Sequence, residues 1–280
     1  MRSFLLVRRS ALAGMIARRF APVACLAGMA SSSLGAAFTP GDLAIYRVGD
    51  GAGSLSNTGA AVFIDEYTTT GTLVQSIALP SVETSGMNLI ASGTATSEGL
   101  LNRSPDGSKL VVTGYNRAVG GTGSVVATTA ATVNRVAGVL DASANVSLYG
   151  FNDWASTNNP RSAIVDGNSL YVTGAAGGVR YADLSALTPG SVDNVGTQIS
   201  STVTNLRATE IYGGQLYVST SSGSAVRVGA VGTGTPTASG ETITNLPGFP
   251  TSGSPYGFFA ADLDAGVEGV DTLYVASDDS

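Results

Sequence analysis

The chain has 280 residues with 14 Lys plus Arg against 20 Asp plus Glu, no histidine, one cysteine, and only 12% charged residues. Without histidine there is no Ser-His-Asp triad, no Cys-His dyad and no imidazole-ligated zinc, and the acidic balance argues against nucleic acid, which attracts clustered Lys and Arg. The apolar share of 43% is too high for a disordered chain, and 37 glycines set among short apolar runs suit strands and tight turns better than long charged helices.

Residues 1–37 read as an export signal. Arg2, Arg8, Arg9, Arg18 and Arg19 are the only charges there, followed by the apolar stretch 20–29 and small residues over 30–37. Cleavage is expected after Ala36 or Ala37. The apolar stretch is shorter than the roughly 20 residues a membrane span needs, so no span is expected in the mature chain. The protein is expected to be secreted, periplasmic or at the cell surface. The pairs Arg8-Arg9 and Arg18-Arg19 leave the general secretory and twin-arginine routes open, and Met15 is an alternative start. Cys25 falls within the leader, so the mature chain has no thiol and no disulfide. Its charge balance becomes 14 − 5 = 9 basic against 20 acidic residues, a net −11.

The mature part, 38–280, opens with two β-prone runs at 62–67 and 73–79 joined through Thr68-Thr69-Thr70-Gly71, an outer-strand hairpin. Asp65 and Glu66 sit within the first run, where adjacent residues face opposite ways; solvated strand charges are the expectation for both. A second pair of runs lies at 136–140 and 146–148.

Four segments then align on a common leucine: 106–114, 166–174, 213–220 and 271–277, centred on Leu110, Leu170, Leu216 and Leu273. Each is a turn followed by a strand. Asp106-Gly107, Asp166-Gly167 and Gly213-Gly214 supply the positive φ values of hairpin turns, and runs such as Leu170-Tyr171-Val172-Thr173 are rich in β-formers. The intervals are 170 − 110 = 60, 216 − 170 = 46 and 273 − 216 = 57 residues. Periods of this size with several strands per unit signal propeller blades, each an inner strand, a turn, a middle strand and outer strands such as 178–181 and 225–228.

The Asp-Gly-x-x-Leu-Tyr-Val-Thr pattern at Asp166 through Thr173 resembles secreted bacterial β-propellers of the YVTN type, a class also found in surface-layer proteins. That resemblance implies an all-β fold of four-stranded antiparallel blades, and it leaves scaffold, binder and enzyme open. At roughly 50 residues per blade the mature part holds about five. The chain ends at Ser280 directly after a middle strand, so the propeller is expected to be incomplete, with further sequence downstream.

No catalytic set emerges. Lys109 is the sole lysine and lies in a turn, so there is no phosphate-binding loop. Arg103, Arg161 and Arg207 precede the repeat leucines by seven, nine and nine residues and are expected to gather at one channel mouth. There they hold an anionic or sugar-like ligand, or tie down carbonyls of the next blade. Glu98 and Glu210 face the channel or serve solubility at a strand edge. Asp262 and Asp264 resemble part of a calcium loop, although Gly266 falls at its fifth position and Leu273 at its twelfth. Calcium is the one cofactor the sequence leaves open. Trp154 and the run Tyr256-Gly257-Phe258-Phe259 are core aromatics or sugar-stacking platforms. The function expected is a non-enzymatic binding scaffold for a protein or glycan partner. A carbohydrate-active enzyme working through carboxylates, and a structural spacer, are the alternatives.

Overall fold

The computed structural model describes residues 34–82 and 86–278, so most of the export-signal reading, with Cys25 and the leader arginines, lies outside the described residues. The first unit is three-stranded: β1 (Leu43–Val48) and β3 (Leu73–Ala78) pair antiparallel with the two edges of β2 (Ala60–Tyr67). The start of β2 then pairs with β4 (Ile90–Ala91), which links this unit to the next through β6 (Lys109–Tyr115).

The second unit is built on β6, with β5 (Asn102–Arg103) on its inner edge and β7 (Arg135–Asp141) and β8 (Val146–Phe151) outside it. The third contains β9 (Pro160–Asp166), β10 (Ser169–Gly174), β11 (Val179–Asp183) and β12 (Thr197–Ser200), paired in sequence order. The fourth repeats that order with β13 (Leu206–Tyr212), β14 (Gln215–Thr220), β15 (Val228–Val231) and β16 (Ile243–Asn245). The fifth is the hairpin β17 (Pro255–Ala261) and β18 (Thr272–Ser277). Leu110, Leu170, Leu216 and Leu273 all fall on the second strand of their units, as the alignment of the repeats predicts. The fold is an all-β propeller of antiparallel blades, and a single 3-10 turn (Leu184–Ala186) is the only helical element among the described residues. None of those residues forms a helix long and apolar enough to cross a membrane.

Local chemistry explains the hairpins. Gly213 and Gly214 both take positive φ (55° and 73°), the two-residue turn whose twist matches the flanking strands, and Gly167 alone does so (58°) between β9 and β10. Alternation then builds the core. Leu170 and Val172 pack with Val111, Val139 and Val165 between the second and third units, while Tyr171 points the other way with Ile211, Leu216 and Val218. Ala208, Val228 and Phe258 fill the next interface. The third and fourth blades are thus apolar on both faces, which is why their middle strands read as near-continuous apolar runs.

The inner strands converge on the segment leading into β5. The side-chain amide of Asn102 donates to Ser162 Oγ (2.8 Å), Ala163 O (2.8 Å) and Thr209 O (3.0 Å), joining three consecutive blades. Leu100 packs in the Ala208–Phe258 cluster, and the Tyr256 hydroxyl reaches Thr96 O at 3.5 Å. Because Asn102 is buried, Asn102→Ala takes this donor from two carbonyls, while Ser162 Oγ keeps the amide of Thr209 (3.1 Å). We expect it to lower the unfolding free energy by about 2–3 kcal/mol in urea titration. A loss under about 0.5 kcal/mol would mean that the three blades are not joined through this side chain.

Two expectations are corrected here. Asp65 and Glu66 lie on the central strand of the first unit and are 4% and 1% exposed. Asp65 pairs with Arg47 (Nε to Oδ2, 2.5 Å) and accepts from Ser76 Oγ, and Glu66 accepts from Thr39 N (2.5 Å) and Gln75 Nε2 (2.6 Å). The third strand of the fourth unit begins at Val228, three residues later than the expected run 225–228. Arg227 is buried there, donating to the carbonyls of Val226 (2.8 Å) and Gly223 (3.0 Å), so the segment before it forms a loop capped by its guanidinium.

Candidate functional site

Strand register decides which of the three arginines are equivalent. Pro160 pairs with Gly174, Leu206 with Thr220 and Pro255 with Ser277, each partner standing four residues after its repeat leucine (170 + 4, 216 + 4, 273 + 4). The next residues, Arg161, Arg207 and Tyr256, therefore occupy one position at the start of successive inner strands. Arg103 instead pairs with Leu110 itself, as Val165 does with Leu170. It stands at the turn end of its strand, away from that position, and its Nε donates to Gly107 O (3.1 Å) of its own turn. There it lines a cleft of about 570 Å³ with Phe38, Asp42, Glu66, Lys109 and Asp141. The seven-residue spacing, against nine, was the signal that separates it.

Arg161 and Arg207 each grip the next blade. Arg161 Nη1 donates to Asn205 Oδ1 (2.7 Å) and Leu206 O (3.3 Å), and its Nε to Ser97 Oγ (3.2 Å). Arg207 Nη1 donates to Ser254 O (3.0 Å) and Pro255 O (3.2 Å), lies 3.6 Å from Asp278 Oδ2, and stacks 4.0 Å from the centroid of Tyr256. Burial holds the Arg161 guanidinium below its ordinary pKa, and the charge of nearby Arg207 pushes the same way. Nη2 of both arginines makes no hydrogen bond within the described residues, so each has donors left for a ligand.

Glu98 and Glu210, read from sequence as channel-facing or as soluble strand-edge charges, are both largely removed from water. Glu98 accepts from Ser92 N (3.0 Å), Asn159 Nδ2 (2.6 Å) and the Tyr115 hydroxyl, and burial raises its pKa in spite of those donors. Arg135 lies over the Tyr115 ring at 4.8 Å, and the Tyr46 hydroxyl, raised by burial and then by Glu98, is buried without a partner. Glu210 stands on β13 between Thr209 and Ile211, which face the third blade, so its side chain shares the opposite face with Tyr212. It makes no hydrogen bond within the described residues, and burial pushes its carboxyl up to about 8. Neither environment was legible, because no local pattern marks a carboxylate that tertiary packing will bury.

The remaining candidates are dispersed. Asp262 and Asp264 lie exposed in the loop between β17 and β18. Asp264 Oδ1 accepts from Gly266 N (2.9 Å), and Asp271 Oδ2 accepts from the amides of Leu263 (3.0 Å) and Asp264 (2.7 Å). No cluster of three or more potential metal ligands occurs among the described residues. Trp154 is fully buried, edge-on to Phe151 at 6.4 Å, and Phe258 is core. Phe259, by contrast, is 58% exposed. A cleft of about 290 Å³ between the fourth and fifth units is lined by Tyr212, Tyr217, Leu246, Phe258 and Asp271.

No protein-family model matches the chain, and no curated protein matches it either. Among solved structures it is similar to one from Bacteroides uniformis described as a 6-phosphogluconolactonase candidate, with 12% identity and a TM-score of 0.43. The match covers 78% of this chain and 58% of that one.

Proposed function

We propose that the chain is an exported, non-enzymatic propeller module that binds an anionic or acidic-sugar ligand where Arg161, Arg207 and Tyr256 meet. The observation supporting this is the pair of guanidinium groups at equivalent places on adjacent inner strands. Each is anchored through Nη1 and keeps Nη2 unshared. Anchored arginines present their forked donors with little further entropy loss, which suits carboxylate or sulfate recognition, and Tyr256 adds an aromatic face beside them. The YVTN-type resemblance and the leader-like start are consistent with a role outside the cytoplasm.

The test is calorimetric titration with oligogalacturonate and with a sulfated oligosaccharide. Arg161→Gln is expected to weaken binding at least ten-fold in a chain that remains folded, with the melting temperature lowered only by the lost hydrogen bonds to Asn205, Leu206 and Ser97. Binding that survives this change, or a collapse of Arg161→Gln and Arg207→Gln alike, assigns the arginines to blade joining alone.

One observation favours a second reading. A carboxyl raised to about 8 is what a general acid in glycoside cleavage needs, and Glu210 has that property. Release of reducing ends from a polysaccharide panel, lost in Glu210→Gln, would replace the binding reading with the enzymatic one.

A further inference from the structure

Aromatic rings wall the cleft of about 290 Å³ between the fourth and fifth units. Tyr212 joins them, with ring centroids 6.4 Å from Tyr217 and 6.2 Å from Phe258, and its hydroxyl donates to Phe258 O (3.3 Å). The planes are tilted by 39° and 58°, so the ring faces are not spent on stacking against one another. Register places a carboxylate beside these rings. Glu210 pairs with Tyr217 across β13 and β14 and stands two residues before Tyr212, so the three side chains share one face of the blade. The Tyr212 hydroxyl feels it, being raised first by burial and then by the Glu210 charge. Glu210 is largely removed from water, forms no ion pair or hydrogen bond among the described residues, and is shifted by burial alone.

Charge says what fits there. A second carboxylate, Asp271, lines the rim and is held ionised by donors from Thr272, Asp264 and Leu263. No basic residue lines the cleft among the described residues, so an anion meets two carboxylates and no compensating charge. A neutral sugar ring can stack on the aromatics and leaves Glu210 without a partner. A cation satisfies both groups, because the negative face of each ring attracts it and its charge favours the ionised carboxylate. A methylated ammonium suits the cleft better than a bare one, which needs hydrogen-bond acceptors that ring faces do not replace.

We propose that this cleft binds a small quaternary or methylated ammonium group, held over the rings of Tyr212, Tyr217 and Phe258 with Glu210 as its counter-ion. The inference does not depend on the arginine site proposed above. It shares Glu210 with the enzymatic reading but involves no bond cleavage. Binding the cation ionises Glu210 and releases the carboxyl proton to solvent, so affinity rises with pH up to about 8. The other groups facing Glu210 do not titrate in that range or carry no proton to lose. Tyr212 is raised to about 12 and Asp271 is held below the usual carboxylate range. Arg207 and Arg227 bond the carbonyls of Ser254 and Val226, Tyr217 is a phenol, and β15 and β17 contribute Val228, Ala230, Phe258 and Ala260.

Choline and its uncharged isostere 3,3-dimethyl-1-butanol are the probes, titrated calorimetrically into the full chain at pH 8. Saturable choline binding is expected, with the isostere at least ten-fold weaker. Lowering the pH from 8 to 6.5 returns the proton to Glu210 and is expected to weaken choline binding at least ten-fold. Glu210→Gln is expected to remove both the preference for charge and the pH effect. Should that variant fold poorly, the pH series on the parent chain stands as the second arm, and Tyr212→Leu, expected to weaken choline at least five-fold, as the third. The proposal is overturned by absence of choline binding at pH 8, or by equal affinity for the isostere, which would make the cleft a neutral apolar or sugar site. A choline affinity that is constant between pH 6.5 and 8, or a folded Glu210→Gln chain that binds choline as the parent does, equally overturns it.

Discussion

Arg135→Met is expected to lower the unfolding free energy by about 2–4 kcal/mol, the cost of leaving buried acceptors without their donor. Arg135 is fully buried and forms no ion pair among the described residues. Its charge is solvated by the protein itself: Nε donates to Ala155 O (3.1 Å), Nη1 to Val133 O (2.8 Å) and Thr128 Oγ1 (3.1 Å), and Nη2 to Thr128 O (2.6 Å) and Val126 O (3.3 Å). Those acceptors come from the loop between β6 and β7 and from the segment before β9, so the side chain ties two irregular stretches to the sheet. Methionine comes near the volume and takes the donor from Val133 O and Val126 O, while Thr128 O and Ala155 O keep the amides of Thr157 (3.0 Å) and Asn158 (3.1 Å). Arg135→Lys keeps the charge but presents three donors on a single nitrogen, and it should recover less than half of the loss. Urea titration of the three proteins checks this; equal stability of the lysine and arginine chains would show that charge alone, without the forked geometry, is what the loops require.

Stability should fall as pH rises from about 5 to about 8, and Glu210→Gln should flatten most of that fall. The carboxyl is raised from an ordinary value near 4.5 to about 8, with burial as the cause. The folded chain therefore keeps this proton over a range in which the unfolded chain has released it. The stability it contributes is complete below the unfolded value, decreases between that value and about 8, and is gone above. At 1.36 kcal/mol per pKa unit, and discounting for partial access of water, the effect is about 2–4 kcal/mol. Glu98, also raised by burial, acts in the same direction, whereas Asp65, held below its ordinary value chiefly by its hydrogen bond to Arg47, loses its contribution only in more acidic solution. Tyr212, on the same face, is raised to about 12 by burial and then by the Glu210 charge, and stays neutral throughout. Melting curves at pH 5.5, 7 and 8.5 for the parent and Glu210→Gln chains provide the check. A parent chain no less stable at 8.5 than at 5.5 would contradict the assignment.

Much of the fold is legible residue by residue, because its signals are local. The glycine pairs at the hairpin turns, the period-two alternation through Leu170-Tyr171-Val172 and the recurrence of that unit need only near neighbours in the chain to take effect. Charged residues behave differently. Arg227 displaces an expected strand by three residues because its guanidinium finds loop carbonyls in the folded chain. Asp65 and Glu66 look like strand-surface charges until β1 and β3 enclose them from both edges. Arg103 seems equivalent to Arg161 and Arg207 when counted from the leucine, and register places it at the opposite end of its strand.

The sequence by itself determined the alternation of turns and strands, the equivalence of the four leucine-centred units and the exclusion of histidine chemistry. These follow from composition, backbone propensity and short-range geometry. Only the tertiary structure decided that Glu98 and Glu210 are largely removed from water, that Asn102 joins three blades, and that Arg103 stands apart from Arg161 and Arg207. Burial and pairing depend on which sheet lies against which, and that contact links residues 60 to 160 positions apart, a distance over which no local pattern carries information.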